Sequence, residues 1–150
     1  MTRTRSEILE QRKAWKAAGK VVVFTNGCFD LVHAGHAQAL QFARSKGDVL
    51  VVGLNSDRST RGLKGPGRPV VPQGDRARLL AAFEAVDYVV VFDQPTPAGL
   101  VKQVRPDVLV KGEDYKGKEV VGRAHAGRVE LAPLVKGIST SEIIRRIRQL

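Results

Sequence analysis

The sequence holds a single cysteine, Cys28, and only eight aromatic residues: five Phe, two Tyr and one Trp. No apolar run approaches the ~20 residues needed to span a bilayer. One thiol cannot close an internal disulfide, so a packed core must hold the chain together, and a reducing compartment suits it. Met1 to Glu10 is charged and lacks an apolar h-region, so no secretory signal is expected there. The expected location is the cytoplasm, with no membrane partner. Acid is scarce too: 15 Asp and Glu face 25 Lys and Arg, a formal net charge of +10. That balance favours anionic partners, either nucleic acid or a phosphorylated small molecule. The basic residues are spread from Arg3 to Arg148, and only Arg145, Arg146 and Arg148 cluster closely. Aromatic residues are not interleaved with them, which argues against stacking platforms for single strands. Much of the charge reads as solvated surface.

What is present is a chain of 150 residues, 43% hydrophobic, sized for one domain over residues 1–150. Short valine-rich runs alternate with helix-like segments. The runs are Val21 to Thr25, Val49 to Leu54, Tyr88 to Phe92, Val108 to Lys111 and Arg128 to Leu131. They are apolar on both faces, as strands of a parallel sheet covered on both sides should be. Helices are expected over Ala34 to Lys46, Asp75 to Ala85 and Thr96 to Val104, and over a leading stretch from about Arg5 to Ala18 that ends at Gly19. A last helix opens at Ser139-Thr140-Ser141-Glu142 and carries Ile143, Ile144 and Ile147, which should pack on the sheet. The pattern predicts an α/β fold: a doubly wound, five-stranded parallel sheet with helices on both faces, Rossmann-like, with ligands beyond the carboxyl ends of the strands. Two stretches, Asn55 to Gly74 and Gly112 to Gly127, read as long loops with glycine beside charge, a setting that is usually functional.

Chemistry concentrates in Thr25-Asn26-Gly27-Cys28-Phe29-Asp30-Leu31-Val32-His33-Ala34-Gly35-His36, from the end of the first strand into a helix. His33 and His36 are three apart, so a first helical turn places them on one side. Gly35 between them lets a ligand approach the backbone closely. Helix N-terminal amides attract phosphate, and two imidazoles beside them can donate to charge developing on a transferring phosphoryl group. The same pair could serve as metal ligands, but no third ligand stands nearby. Cys28 could pair with a histidine as a nucleophile, or simply pack beside the turn.

The segment resembles the HxGH signature of the nucleotidyltransferase superfamily, and the longer TNGCFDxxHxGH string resembles the D-glycero-β-D-manno-heptose 1-phosphate adenylyltransferase family. Further matches follow in order: Gly53 to Asp57, Leu63-Lys64-Gly65, Arg68-Pro69-Val70, Arg76, Glu84 to Asp87, Pro106 to Gly112, Asp114-Tyr115 and Ser139-Thr140. The resemblance implies transfer of AMP from ATP to a heptose 1-phosphate, releasing pyrophosphate, for surface glycan synthesis. His33 and His36, with Lys64 and Thr140, would be catalytic. Thr25, Asn26, Gly27, Cys28, Phe29, Gly35, Lys111, Gly112, Asp114, Ser139 and Thr140 would bind the nucleotide. Asp30, Arg44, Asn55, Asp57, Lys64 and Arg76 would bind substrate. Ser139 can also act as the helix cap, and Asp57 and Asp114 can cap turns. Mg²⁺ is expected to bridge triphosphate oxygens and keep several waters, so no residue is assigned to a metal. A separate sugar kinase is expected upstream, and relatives make a homodimer conceivable. Two departures bear on base and sugar identity: Glu113 replaces a second glycine before Asp114-Tyr115, and the stretch from Gly122 to Gly127 is short.

Two other functions compete. A cytidylyltransferase using CTP and glycerol 3-phosphate or a similar alcohol phosphate would share HxGH and Gly137-Ile138-Ser139-Thr140. That group carries an arginine just ahead, where this chain has Leu134. A basic nucleic-acid-binding domain would explain the charge but leave both histidines idle, and no recognition motif accompanies it, so no nucleic-acid partner is expected.

Overall fold

A computed structural model describes all 150 residues. Five strands run parallel in the order β3-β2-β1-β4-β5, with β1 at Val22–Gly27, β2 at Val49–Asn55, β3 at Tyr88–Phe92, β4 at Val108–Gly112 and β5 at Arg128–Ala132. The chain winds outward from β1 to β3, then returns to begin β4 on the other side of β1. The switch point therefore lies between β1 and β4.

The strands' valines alternate between two cores. On one face, α2 (Ala34–Arg44) and α4 (Gln73–Ala81) contribute Leu40, Ala43, Ala77 and Leu80 against Val23, Leu50, Val52 and Val110. On the other, α1 (Arg5–Ala17) and α5 (Ala98–Val104) contribute Ile8, Trp15, Leu100, Val101 and Val104 against Val22, Phe24, Val51 and Leu109. Every residue of β2 is buried, as a strand covered on both sides requires.

Strand register is set at the amino edge by three aspartates, each just ahead of a strand. Asp48 accepts from Val21 N–H, Asp107 from Val22 N–H and Asp87 from Leu50 N–H, each at 2.8 Å. The outer edge of β3 is paired by the first residues of the chain: Arg3 N–H donates to Val89 O, and Val89 N–H to Met1 O, both at 2.9 Å.

Two expectations are corrected. The stretch from Asn55 to Gly74 is not simply a loop, because Asp57–Lys64 forms α3, capped by Ser56 Oγ accepting from Ser59 N–H at 3.1 Å. Glu113–Tyr115 and Arg123–His125 form short 3-10 turns within the second long loop. The last helix, α6 (Thr140–Ile147), does not lay its isoleucines on the sheet. None of its residues is fully buried, and Ile147 is 58% exposed. It is fixed by its first turn, beyond the carboxyl edge of the sheet, instead of by a face.

Candidate active site

At the carboxyl end of β1 the chain turns sharply. Gly27 leaves room for the Phe29 ring, which would lie 3.1 Å from a Cβ at that position. Phe29 itself adopts φ 45°, a strained left-handed conformation for a bulky residue, of the kind that clusters at functional sites. The chain then enters α2 through His33, whose extended backbone makes it the N-cap. Its side chain replaces the usual serine or aspartate: Nδ1 accepts from Gly35 N–H at 3.1 Å. His36 reaches back so that its Nδ1 faces His33 N–H at 3.4 Å, completing a capping box built of two imidazoles.

This arrangement determines the tautomers. A ring nitrogen accepting a backbone N–H carries no proton, so in both neutral rings the proton sits on Nε2. The rings stack with centroids 3.9 Å apart and 25° between planes. The Phe29 ring also lies against His36, with centroids 5.1 Å apart and 52° between planes. Burial, with a smaller contribution from His33, pulls the His36 pKa down to about 4, and burial also lowers that of His33. At neutral pH the pair therefore offers two uncharged Nε2–H donors. Gly35 is required here by space: a Cβ would meet the His33 ring at 2.9 Å.

The start of α6 closes over this turn. Thr140 Oγ1 donates to Leu31 O at 3.3 Å, and the Ile138 methyl lies 3.6 Å from a Cβ position at Gly35. Ser139 caps α6, accepting from Glu142 N–H at 3.1 Å. Across the switch point, Thr25 Oγ1 donates to Val110 O at 3.0 Å. Lys111 Nζ bonds Asn26 Oδ1 and lies 5.6 Å from the Tyr115 ring centre. Burial lowers the Lys111 pKa to about 8, partly opposed by Asp114. The Asp114 carboxylate folds back over Gly112. Cys28 is half-buried and its thiol is free.

Several charged side chains expected at substrate are committed elsewhere. Arg76 is fully buried; it donates to the carbonyls of Val71, Cys28 and Asn55 and pairs with Asp57 at 2.7 Å. It ties the turn after β1 to β2 and α4. Asp57 is spent on Arg76 and on Gln73 N–H, at 2.8 Å. Asn55 is buried, its amide donating to Ser59 Oγ at 2.9 Å. Asp30, 3% exposed, accepts from Val70 N–H, Val71 N–H and Arg68 Nε, so it anchors the basic loop to the turn after β1. Arg44 sits at the far end of α2, at the amino edge of the sheet, donating to Gly47 O at 2.6 Å and pairing with Asp87; a helix of eleven residues separates it from the histidines by roughly 15 Å. Lys64, at the end of α3, stays exposed. Arg68, in the basic glycine-rich loop beside Lys64, joins these residues through its 2.5 Å bond to Asp30. In the sequence its signals are that loop position and the Arg68-Pro69-Val70 match.

A parallel sheet with its switch point beside a doubly imidazole-capped helix, closed by a second helix N-terminus, is a setting for a phosphate-bearing ligand. The family model described as cytidylyltransferase-like matches residues 24–146, and the chain belongs to that family. It is 53% identical over 145 residues to the bifunctional protein HldE of Wolinella succinogenes, covering 97% of this chain and 31% of that protein. To the bifunctional protein HldE of a Nitratiruptor species it is 59% identical over 130 residues, 87% of this chain and 28% of the relative. The chain thus spans about a third of the length of these curated relatives. Among solved structures it is similar to the lipopolysaccharide core biosynthesis protein from Thermoplasma volcanium, with a TM-score of 0.65 and 25% identity over 80% of this chain and all of that one. Pantothenate synthetase from Thermus thermophilus shares the fold, with a TM-score of 0.66 at 18% identity over 95% of this chain and 66% of that one.

Proposed function

We propose that this chain transfers AMP from ATP to a heptose 1-phosphate, releasing pyrophosphate and yielding an ADP-heptose. The observation that carries the reading is the pair of stacked imidazoles, each with Nδ1 occupied by a backbone amide and Nε2–H free, set against the first turn of α6. Identity above 50% to HldE proteins across nearly the whole chain supports the heptose acceptor and the adenylyl donor.

In this reading the acceptor's phosphate oxygen attacks the α-phosphorus in line. A phosphate monoester is already nucleophilic, so the site needs no strong base, and neither histidine takes a proton. Both donate Nε2–H to the equatorial oxygens as charge gathers there. Neutral imidazoles suit this task because they hold their geometry against the backbone and need no reorganisation during the reaction. Ser139, Thr140 and the first amides of α6 receive the β- and γ-phosphates. Thr25 to Phe29, with Lys111, Gly112 and Asp114, line the nucleotide side, and Lys64 supplies a mobile cation. Mg²⁺, bound with the nucleotide, would supply charge neutralisation of the triphosphate. The chain contains no cluster of three or more His, Cys, Asp or Glu side chains that could cage a metal.

The test is pyrophosphate release with ATP and CTP against heptose 1-phosphate and glycerol 3-phosphate. Turnover is expected with ATP and heptose 1-phosphate. Turnover confined to CTP and glycerol 3-phosphate would replace this reading with cytidylyl transfer.

A further inference from the structure

β4 and β5 end together, with Gly112 opposite Ala132 in the parallel register. Beyond that point the two segments part. β4 runs into the 3-10 turn Glu113–Tyr115, and β5 into residues 133–138, which lead to the cap of α6. One side chain bridges the gap. Glu113 Oε1 accepts from Leu134 N–H at 3.0 Å, so a carboxylate supplies the next rung where the backbone ladder stops. Leu134 completes the contact, because its Cδ2 would lie 3.2 Å from a Cβ at Gly112. No other hydrogen bond ties residues 133–138 to the rest of the chain.

The two segments serve different parts of one site. Past Glu113 come Asp114 and Tyr115, whose ring lies 5.6 Å from Lys111 Nζ. Lys111 in turn bonds Asn26 in β1. Past Leu134 come Ile138, whose methyl faces Gly35, and then Ser139 and Thr140. A nucleotide lying across the switch point meets both segments at once. A chain that holds their spacing in advance loses less freedom on binding.

Building on the adenylyl-transfer reading, we propose that Glu113 is a positioning residue for ATP: its bond to Leu134 holds the turn after β4 and the approach to α6 at the spacing the nucleotide spans. The carboxylate acts through Leu134 and not on the nucleotide, which gives the expected effect a sign. Coulomb repulsion alone would make removal of an acid near a polyanion tighten binding, whereas loss of the tie weakens it.

Calorimetric titration with ATP and Mg²⁺, without acceptor, tests this. Glu113→Ala should weaken ATP binding about fivefold, the effect of one hydrogen bond, and raise the KM for ATP by the same factor. kcat and the KM for the sugar phosphate should stay within about twofold of the parent. Glu113→Gln keeps an oxygen acceptor without the charge and should restore parent affinity. Hydrogen exchange at the Leu134 amide should quicken in Glu113→Ala and stay slow in Glu113→Gln. Glu113 is exposed, so both variants should melt with the parent chain. Unchanged or tighter ATP binding by Glu113→Ala overturns the proposal, as does a loss that Glu113→Gln does not rescue. A lower melting temperature and lower kcat with ATP affinity intact also overturn it, and make the bond merely structural. If ATP binding depends on Glu113 yet no heptose 1-phosphate is turned over, the positioning role stands and the functional reading falls.

Discussion

His33 and His36 each replace a conventional capping side chain, so their removal tests catalysis and helix entry together. Alanine at either position should cost about 10²–10³ in kcat, the effect of deleting one transition-state donor, with ATP binding by calorimetry changed far less. Gly35→Ala separates the two roles. Alanine favours the helix by up to about 1 kcal/mol over glycine, yet its Cβ would press on the His33 ring. The expected result is an unchanged or higher melting temperature with a lower kcat. His36 also makes stability depend on pH. Its pKa is about 4 when folded and near 6.5 when unfolded, so between these values the unfolded chain binds the extra proton. The stabilisation is complete above pH 6.5 and is lost as pH falls toward 4, by about 2 kcal/mol at pH 5. Denaturant midpoints at pH 7.5 and 5 should show this loss in the parent chain and a smaller one in His36→Gln.

At the level of elements, the strands were the most legible part of the sequence, because both-sided burial writes itself as unbroken valine runs. The α3 helix was not legible. Asp57–Lys64 has one large apolar residue, Leu63, and that residue is 52% exposed. The helix is held instead by polar side chains: Ser59 Oγ donates to Gln94 O at 2.7 Å, and Ser56 Oγ to Asp93 at 2.5 Å. The histidine pair could be read from its spacing, since both partners lie in one turn. The fates of Asp30, Asn55, Asp57 and Arg76 could not, because what neutralises or covers them is supplied by segments up to 48 positions away. A charged residue next to a motif looks like a ligand contact until its partner is visible. Arg76 therefore makes a sharp test of scaffold against substrate contact. Arg76→Met leaves the carbonyls of Val71, Cys28 and Asn55 without their donor and Asp57 without its guanidinium, and each buried acceptor left unmet costs about 1–3 kcal/mol. Urea titration should register that loss. A residue that merely touched substrate would raise KM and leave the urea midpoint in place.

Over the whole molecule, the +10 charge has nowhere to be neutralised internally, with ten more basic than acidic groups. Long-range attraction should speed the arrival of nucleotide and sugar phosphate, and salt should screen it. kcat/KM is expected to fall several-fold between about 0.05 and 0.3 M NaCl, with kcat nearly constant; a flat profile would mean that the basic groups outside the site act as bulk solvated surface. No helix is long and apolar enough to cross a membrane.

The pairing of Met1–Arg3 with β3 sets an order of events. Arg3 N–H reaches Val89 O, 86 positions along the chain, so these residues cannot settle until β3 has been synthesised and docked on β2. Closing so long a loop carries an entropy cost that only a preformed edge can offset. Residues 1–3 are thus a latch that fastens late in folding, and until it does the margin of the nascent sheet stays open to other chains.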